Sequence, residues 1–376
     1  MRRLILFLLF LFPLISAGQD LPKPSGPYTP GVRDLFLNDP SRADSALGGQ
    51  ISVRVWYPAS ESAGRRSDYF PEGLNDALQR IGYAKLDSTG LARLAGLRSN
   101  SIRDAKPAAG RKFPVVLFSP GWGMATFSYT ALIEELVSQG TIIIAIDHLY
   151  CGPVRLPDGR IITGKDYPFE KYAPYLLAAL RDTRFVMNTV NAGTNGFAFL
   201  AGITDPDRSG VMGHSIGGNV ALLAARETKP FRFAINLDGG AFDEVSPGTM
   251  KIPALTLRSF PVYSDAELSA KGRTRAAWNA MGEAIDSTFR ANLERTRSAS
   301  VEVKIPSTGH MSFSDAPFLM PDMLTRFGGT YLSPQETLRI TSALILSFIR
   351  NSHPESLKRF PERLKREKIV VRVFGP

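Results

Sequence analysis

Cysteine is nearly absent from this chain: Cys151 is the single one in 376 residues. No disulfide can close within the molecule, so its stability must come from a packed core. Zinc-finger spacing is missing, as are a basic stripe with interleaved aromatics and a phosphate-cradling G-x-x-x-x-G-K loop, which excludes nucleic acids and nucleotides as partners. Nothing in the sequence asks for a metal or an organic cofactor. Acidic residues are fewer than basic ones, 35 against 45, leaving a formal charge of +10. A basic surface favours anionic lipid headgroups or acidic polymers, and equally serves plain solubility.

A run long enough to cross a membrane is also lacking at the N-terminus. Met1-Arg2-Arg3 is basic, Leu4 to Ile15 is apolar for about a dozen residues, and Ser16-Ala17-Gly18 is small. That pattern predicts a signal peptide over residues 1–18, cut near Ala17 or Gly18, and a protein exported to the periplasm or the extracellular space. A retained anchor is the competing reading, and no cysteine near the cut is available for lipid modification. Cleavage would remove Arg2 and Arg3 with no acid, lowering +10 to +8.

With 44% hydrophobic and 21% charged residues, the remainder has the composition of a globular protein, and its length suits one large α/β domain over residues 19–376. Leu21 to Pro30 is proline-rich and extended, and Gln50 to Tyr57 alternates as a strand. Apolar strands then alternate with helical patterns: Val115–Ser119, a helix from Phe127 to Val137, Thr141–Asp147, a helix from Tyr172 to Val190, Gly210–His214, a helix from Gly217, Phe233–Leu237, Ala254–Ser259 and Val301–Ile305. Such alternation predicts a mostly parallel sheet covered by helices on both faces.

Two stretches interrupt the pattern. Residues 60–112 carry Leu74, Leu78, Ile81, Leu91, Leu94 and Leu97 at helical spacing, as a helical cap on the core or a helix resting on lipid. Residues 260–298 place Trp278, Met281, Ile285 and Phe289 on one helix face, which predicts a core contact with a lid role open. The segment 353–376 has seven Lys or Arg between Lys358 and Arg372 and is expected to be a solvated tail or helix face.

Gly213-His214-Ser215-Ile216-Gly217 lies where a strand should pass into a helix. A serine between glycines on such a turn is held in a strained backbone with its hydroxyl exposed, which makes Ser215 the candidate nucleophile. It needs a base. Among four histidines, His214 is inside the turn, His353 is in the basic segment, and His148 precedes the nucleophile, leaving His310 in the loop Pro306-Ser307-Thr308-Gly309-His310. The acid that orients the base should follow another strand, as Asp238 does before Gly239-Gly240; Asp243 is the runner-up, and Asp286 should be solvated on the insert helix. Oxyanion donors are expected from the amides of Ile216 and of Trp122, in Ser119-Pro120-Gly121-Trp122-Gly123. Gly121, His148, Gly239 and Phe313 are expected around the substrate.

In this order, the stretches Gly26-Pro27-Tyr28, Val53-Arg54-Val55-Trp56-Tyr57-Pro58, Asp68-Tyr69-Phe70, Phe118 to Gly123, Ala145-Ile146-Asp147-His148, Gly213 to Gly218, Leu237-Asp238 and His310 with Phe313 and Asp315 resemble the platelet-activating factor acetylhydrolase family of α/β-hydrolases. The resemblance implies a secreted serine esterase acting on short or oxidised sn-2 acyl esters of phospholipids, with peripheral contact to a lipid surface. Pro120 stands where the family commonly has histidine, and Gly239-Gly240 where bulky aromatics often follow the acid, which implies an acyl pocket not restricted to acetyl. The other readings are a broad small-ester or polyester esterase, and a binding protein on a hydrolase scaffold. Dienelactone hydrolases use cysteine where this chain has Ser215.

Overall fold

The computed structural model describes residues 21–42, 49–74, 95–149, 151–162, 172–240, 249–294, 296–320, 331–351 and 369–375. The expected signal peptide, Leu78, Ile81, Leu91, Leu94, Asp243 and His353 lie outside them. The strands are β1 (Thr29–Asn38), β2 (Gln50–Ala59), β3 (Arg66–Asp68), β4 (Arg98–Arg103), β5 (Phe113–Ser119), β6 (Ile142–Asp147), β7 (Val154–Arg155), β8 (Ile161–Ile162), β9 (Thr204–His214), β10 (Phe233–Leu237), β11 (Ala254–Phe260), β12 (Ser300–Pro306) and β13 (Val370–Phe374). The α-helices are α1 (Thr130–Ser138), α2 (Tyr172–Ala192), α3 (Ile216–Ala224), α4 (Asp265–Ala270), α5 (Arg275–Leu293), α6 (Ala316–Leu319) and α7 (Pro334–Arg350).

Eleven strands form one sheet in the order β13-β12-β11-β10-β9-β5-β6-β2-β1-β4-β3, and β7 pairs with β8 apart from it. The run from β12 to β6 is parallel. This is the mostly parallel, helix-covered sheet that the alternation predicts. The parallel strands are apolar on both faces because helices cover both sides. One cluster packs Ile142, Ile144 and Val211 with Leu176 and Met187 of α2 and Val220 of α3. The other packs Ile143, Met212, Ile235, Leu255 and Val303 with Leu136 of α1 and Leu344 and Phe348 of α7.

The edges depart from the sequence reading. Residues 29–38, expected to be extended only at their start, form a ten-residue strand antiparallel to β2. The ends of the 60–112 insertion add β3 and β4 to the sheet, so its described part is not a helical cap alone. Asp205-Pro206-Asp207-Arg208, a polar stretch with the residues of a turn, lies within β9, where the register against β5 jumps from Pro114–Asp205 to Val115–Ser209. The basic end of the chain closes the sheet as β13, antiparallel to β12, with Arg372 reaching the Glu302 carboxylate at 3.2 Å.

Helix α5 also corrects an expectation. Of its apolar stripe only Phe289 is buried, while Ile285 is 43% exposed. Asp286, expected in solvent, is buried and hydrogen-bonded to Arg258 at 2.9 Å and to Lys304. Arg258 also meets Glu302 at 2.8 Å and lies over the Phe289 ring at 4.1 Å. A cluster of paired charges therefore fastens the insert to β11 and β12. Removing one partner strands the others in a dry site. Asp286→Ala should lower stability by about 3 kcal/mol, measured from urea denaturation midpoints.

Candidate active site

Every expected chemical residue follows the carboxyl end of a strand; β5, β9 and β10 are adjacent, and β12 lies beyond β10 with β11 between them. Ser215 follows β9, Asp238 follows β10, His310 lies just beyond β12, and the loop with Trp122 leaves β5. Ser215 is the residue before α3, at φ 55° and ψ −121°. That conformation costs a residue with a side chain about 1–3 kcal/mol. It is held by the Ser215 N–H bond to the Leu237 carbonyl, 2.9 Å, and by close packing around the turn. A Cβ on Gly213 would overlap the Gly217 backbone, and one on Gly217 would overlap the Ser119 carbonyl. Only glycine lets these three segments touch.

Asp238 also adopts a left-handed backbone, φ 53°, and its N–H reaches the Leu257 carbonyl at 2.7 Å. Its carboxylate accepts from His310 Nδ1 at 2.8 Å, from the Ser259 amide at 2.8 Å and from the Ser259 hydroxyl at 2.7 Å. Burial alone would raise this carboxyl, but the hydrogen bonds and charge of His310 and the Ser259 bonds prevail and hold it down at about 2. His310 thus has a fixed orientation and an ionised partner, while 39% of its side chain remains exposed.

Beside Ser215, the His214 ring is fully buried, with Nδ1 2.8 Å from the Tyr129 hydroxyl and Nε2 2.9 Å from the His310 carbonyl. Burial, reinforced by the nearby His310, pushes its pKa down to about 3. The Gly121 amide donates to the same Tyr129 hydroxyl at 2.9 Å, and the Trp122 ring meets Tyr175 edge-on with centroids 5.3 Å apart. The Cys151 thiol donates to the Gly121 carbonyl at 3.3 Å, and burial raises its pKa to about 12.

The pocket expectation is corrected at three positions. His148 is 2% exposed, with Nδ1 3.0 Å from Asp182 and Nε2 2.9 Å from Ser119 Oγ. Ser119, His148 and Asp182 thus form a second Ser–His–Asp arrangement, but Ser119 is fully buried within β5, so it serves to fix the start of the loop that carries Trp122. Gly239 is buried where a Cβ would overlap the Ser215 carbonyl, so close approach to the turn dictates the glycine. Its amide donates to Asn236 Oδ1 at 2.8 Å. Phe313, 2% exposed, packs below the site with its ring centroid 6.2 Å from that of His214. Gly121 does face Ser215: a Cβ there would lie 3.3 Å from Ser215 Cβ.

Ser259, Asn236 and Tyr129 escaped the sequence reading. Ser259 and Asn236 lie in strands that read only as apolar runs, and their roles arise from the strand beside them. Among the described residues no cluster of three or more His, Cys, Asp or Glu could hold a metal ion, and no helix is long and apolar enough to cross a membrane.

Comparison with known proteins fits this architecture. A ferulic acid esterase from Streptomyces cinnamoneus superposes with a TM-score of 0.70 at 26% identity, over 89% of this chain and 92% of that one. A probable 1-alkyl-2-acetylglycerophosphocholine esterase of Arthroderma benhamiae is 27% identical over 80% of this chain and 77% of its own length. The platelet-activating factor acetylhydrolase of Cavia porcellus is 24% identical, over 62% of this chain and 58% of its own. The protein is a carboxylic ester hydrolase of the α/β-hydrolase fold. Residues 14–150 and 174–360 match the sequence profile of platelet-activating factor acetylhydrolase, isoform II, and the chain belongs to that family.

The Asp238 carboxyl is depressed from an ordinary 3.8 to about 2, so its contribution to stability is fully present above about pH 4 and is lost as pH falls through about 2. Unfolding free energies measured between pH 2 and 6 should show this acid limb in the wild type and a flatter one in Asp238→Asn.

Proposed function

We propose that Ser215, His310 and Asp238 are the catalytic triad of an exported esterase that removes short or oxidised sn-2 acyl chains from phospholipids. The observation that carries the reading is the Asp238–His310 hydrogen bond, 2.8 Å, on loops beside a serine in a strained strand-to-helix turn. Ser215 Oγ attacks the ester carbonyl while His310 Nε2 takes its proton, and His310 Nδ1–H donates to Asp238, which remains ionised and stabilises the imidazolium. The amides of Ile216 and Trp122 receive the developing oxyanion. Collapse of the tetrahedral adduct breaks the bond to the alcohol, which leaves with the proton from His310. Water, deprotonated by His310, then attacks the acyl-serine; the proton returns to Ser215 Oγ as the carboxylic acid departs.

The names of the relatives support the phospholipid ester as substrate. The basic N-terminal pattern of residues 1–18 supports export. Phe260 at the end of β11, Val262 in the loop after it and Ile285 on α5, 45%, 40% and 43% exposed, lie beyond the Ser259 contact to Asp238 and support peripheral contact with a lipid surface. A second reading is a broad small-ester or polyester esterase, which the likeness to a ferulic acid esterase favours.

Ser215→Ala should lower kcat by about 10⁴-fold or more on a short-chain nitrophenyl ester while the circular dichroism spectrum is unchanged; wild-type turnover would sink the triad. Acetate release from an acetylated alkyl phospholipid, compared with cleavage of a feruloyl ester and of polyester film, separates the two substrate readings. Phe260→Ser combined with Val262→Ser should weaken sedimentation with anionic vesicles and leave hydrolysis of the soluble nitrophenyl ester unchanged.

A further inference from the structure

Hydrogen-bond polarity runs in one direction through the buried core of the site. A backbone carbonyl can only accept, so His214 Nε2, 2.9 Å from the His310 carbonyl, must carry the proton of that bond. Burial keeps the ring neutral at any ordinary pH, with its pKa at about 3, and a neutral imidazole has one N–H. Nδ1 is then an acceptor, and the group 2.8 Å away is the Tyr129 hydroxyl, which must donate to it. That hydroxyl in turn accepts the Gly121 N–H at 2.9 Å. The Met124 sulfur, 3.1 Å from the Tyr129 oxygen, is a much weaker acceptor than an imidazole nitrogen.

We infer that Tyr129 and His214 are positioning residues that couple the oxyanion loop to the catalytic base through the chain Gly121 N–H, Tyr129 O–H, His214 Nε2–H, His310 C=O. The inference rests on the reading of Ser215, His310 and Asp238 as the triad. Each link acts on a part that moves the chemistry. The bond at Gly121 orients the backbone that leads into the Trp122 amide, and the Gly121 Cα faces Ser215, since a Cβ there would lie 3.3 Å from Ser215 Cβ. The bond at the His310 carbonyl holds the base loop from the side of the nucleophile, independently of the Asp238 contact on the ring.

The ring geometry adds a second constraint. The His214 and His310 centroids are 4.5 Å apart at an interplanar angle of 37°, so a charge on His214 would oppose the imidazolium that His310 becomes during each acyl transfer. The Tyr129 hydroxyl hydrogen, aimed at Nδ1, secures the neutral ring in the one tautomer that can also hold the His310 carbonyl. Neither residue needs to touch substrate.

Three measurements test the coupling. In the wild-type protein, nitrogen-15 NMR of the imidazoles, with four histidines in the chain, should show His214 as the neutral Nε2–H tautomer from pH 5 to 8; an Nδ1–H tautomer or a titration in that range overturns the relay without any mutant. Tyr129→Phe should reduce kcat by about 10- to 100-fold, with KM within twofold, and slow labelling of Ser215 by a fluorophosphonate by a similar factor. A wild-type kcat in a folded Tyr129→Phe overturns it. In a double-mutant cycle with His214→Asn, the combined variant should lose no more than the worse single variant, because either change breaks the same chain; multiplicative losses mean two separate structural effects and refute coupling. Ser215→Ala, run alongside, keeps the failures apart: activity there removes the triad itself, whereas a silent Ser215→Ala with an undiminished Tyr129→Phe removes the relay alone.

Discussion

The site depends on the parallel hydrogen-bond ladder running one residue past the ends of its strands. Ser215 N–H bonds to Leu237 O after β9 has ended, and Asp238 N–H bonds to Leu257 O after β10 has ended. At both positions the chain then turns into a left-handed conformation, φ 55° and 53°, that side chains resist. The ladder supplies the restraint that keeps them there. Because neighbouring parallel strands stop in step, the turns fall side by side, and a histidine loop from β12 comes within reach of both. Strain and register are one device: the sheet forces a serine and an aspartate to point where relaxed backbone would not send them.

Beneath this rim lies a layer of buried polar side chains whose bonds are made to loops. Ser119, His148 and Asp182 fix the exit of β5, and Tyr129 and His214 tie the Gly121 loop to the His310 loop. Asp315 fastens the far side of the base loop. Its carboxylate accepts from the Thr130 and Ala131 amides at the start of α1, at 2.8 and 3.0 Å, and from the Tyr69 hydroxyl at 3.0 Å. Burial pushes that carboxyl up to about 7 in spite of these bonds. Polar groups so deeply placed are costly unless each bond is made, and for that reason they permit one loop arrangement and penalise others.

Much of this was legible in the chain because parallel strands are apolar on both faces and announce themselves as short runs. Phe233–Leu237 has the bounds its sequence suggested, and the order nucleophile, acid, histidine picked Asp238 and His310 from residues far apart in the chain. Legibility ended where a residue's role belongs to its neighbour in space. The alternation in β1 is broken by Pro30, Arg33 and Asp34, and Arg33 and Asp34 find partners in Asp104 and Arg54. Asp286 looked like a helix-surface carboxylate because the cations that bury it, Arg258 and Lys304, come from two strands. Gly239 looked like an opening in a pocket, whereas it is an approach to the Ser215 carbonyl. Sequence spacing carries faces and turns; it does not carry cross-strand register.

The bond from Tyr69 to Asp315 joins residues 246 positions apart. Contacts of such separation form late, since a long loop must close before they yield anything. The Ser215 turn, by contrast, leans on the Leu237 carbonyl of β10 and on the Ser119 carbonyl of β5. The seat of the His310 loop therefore depends on the first and last thirds of the polypeptide packing against each other.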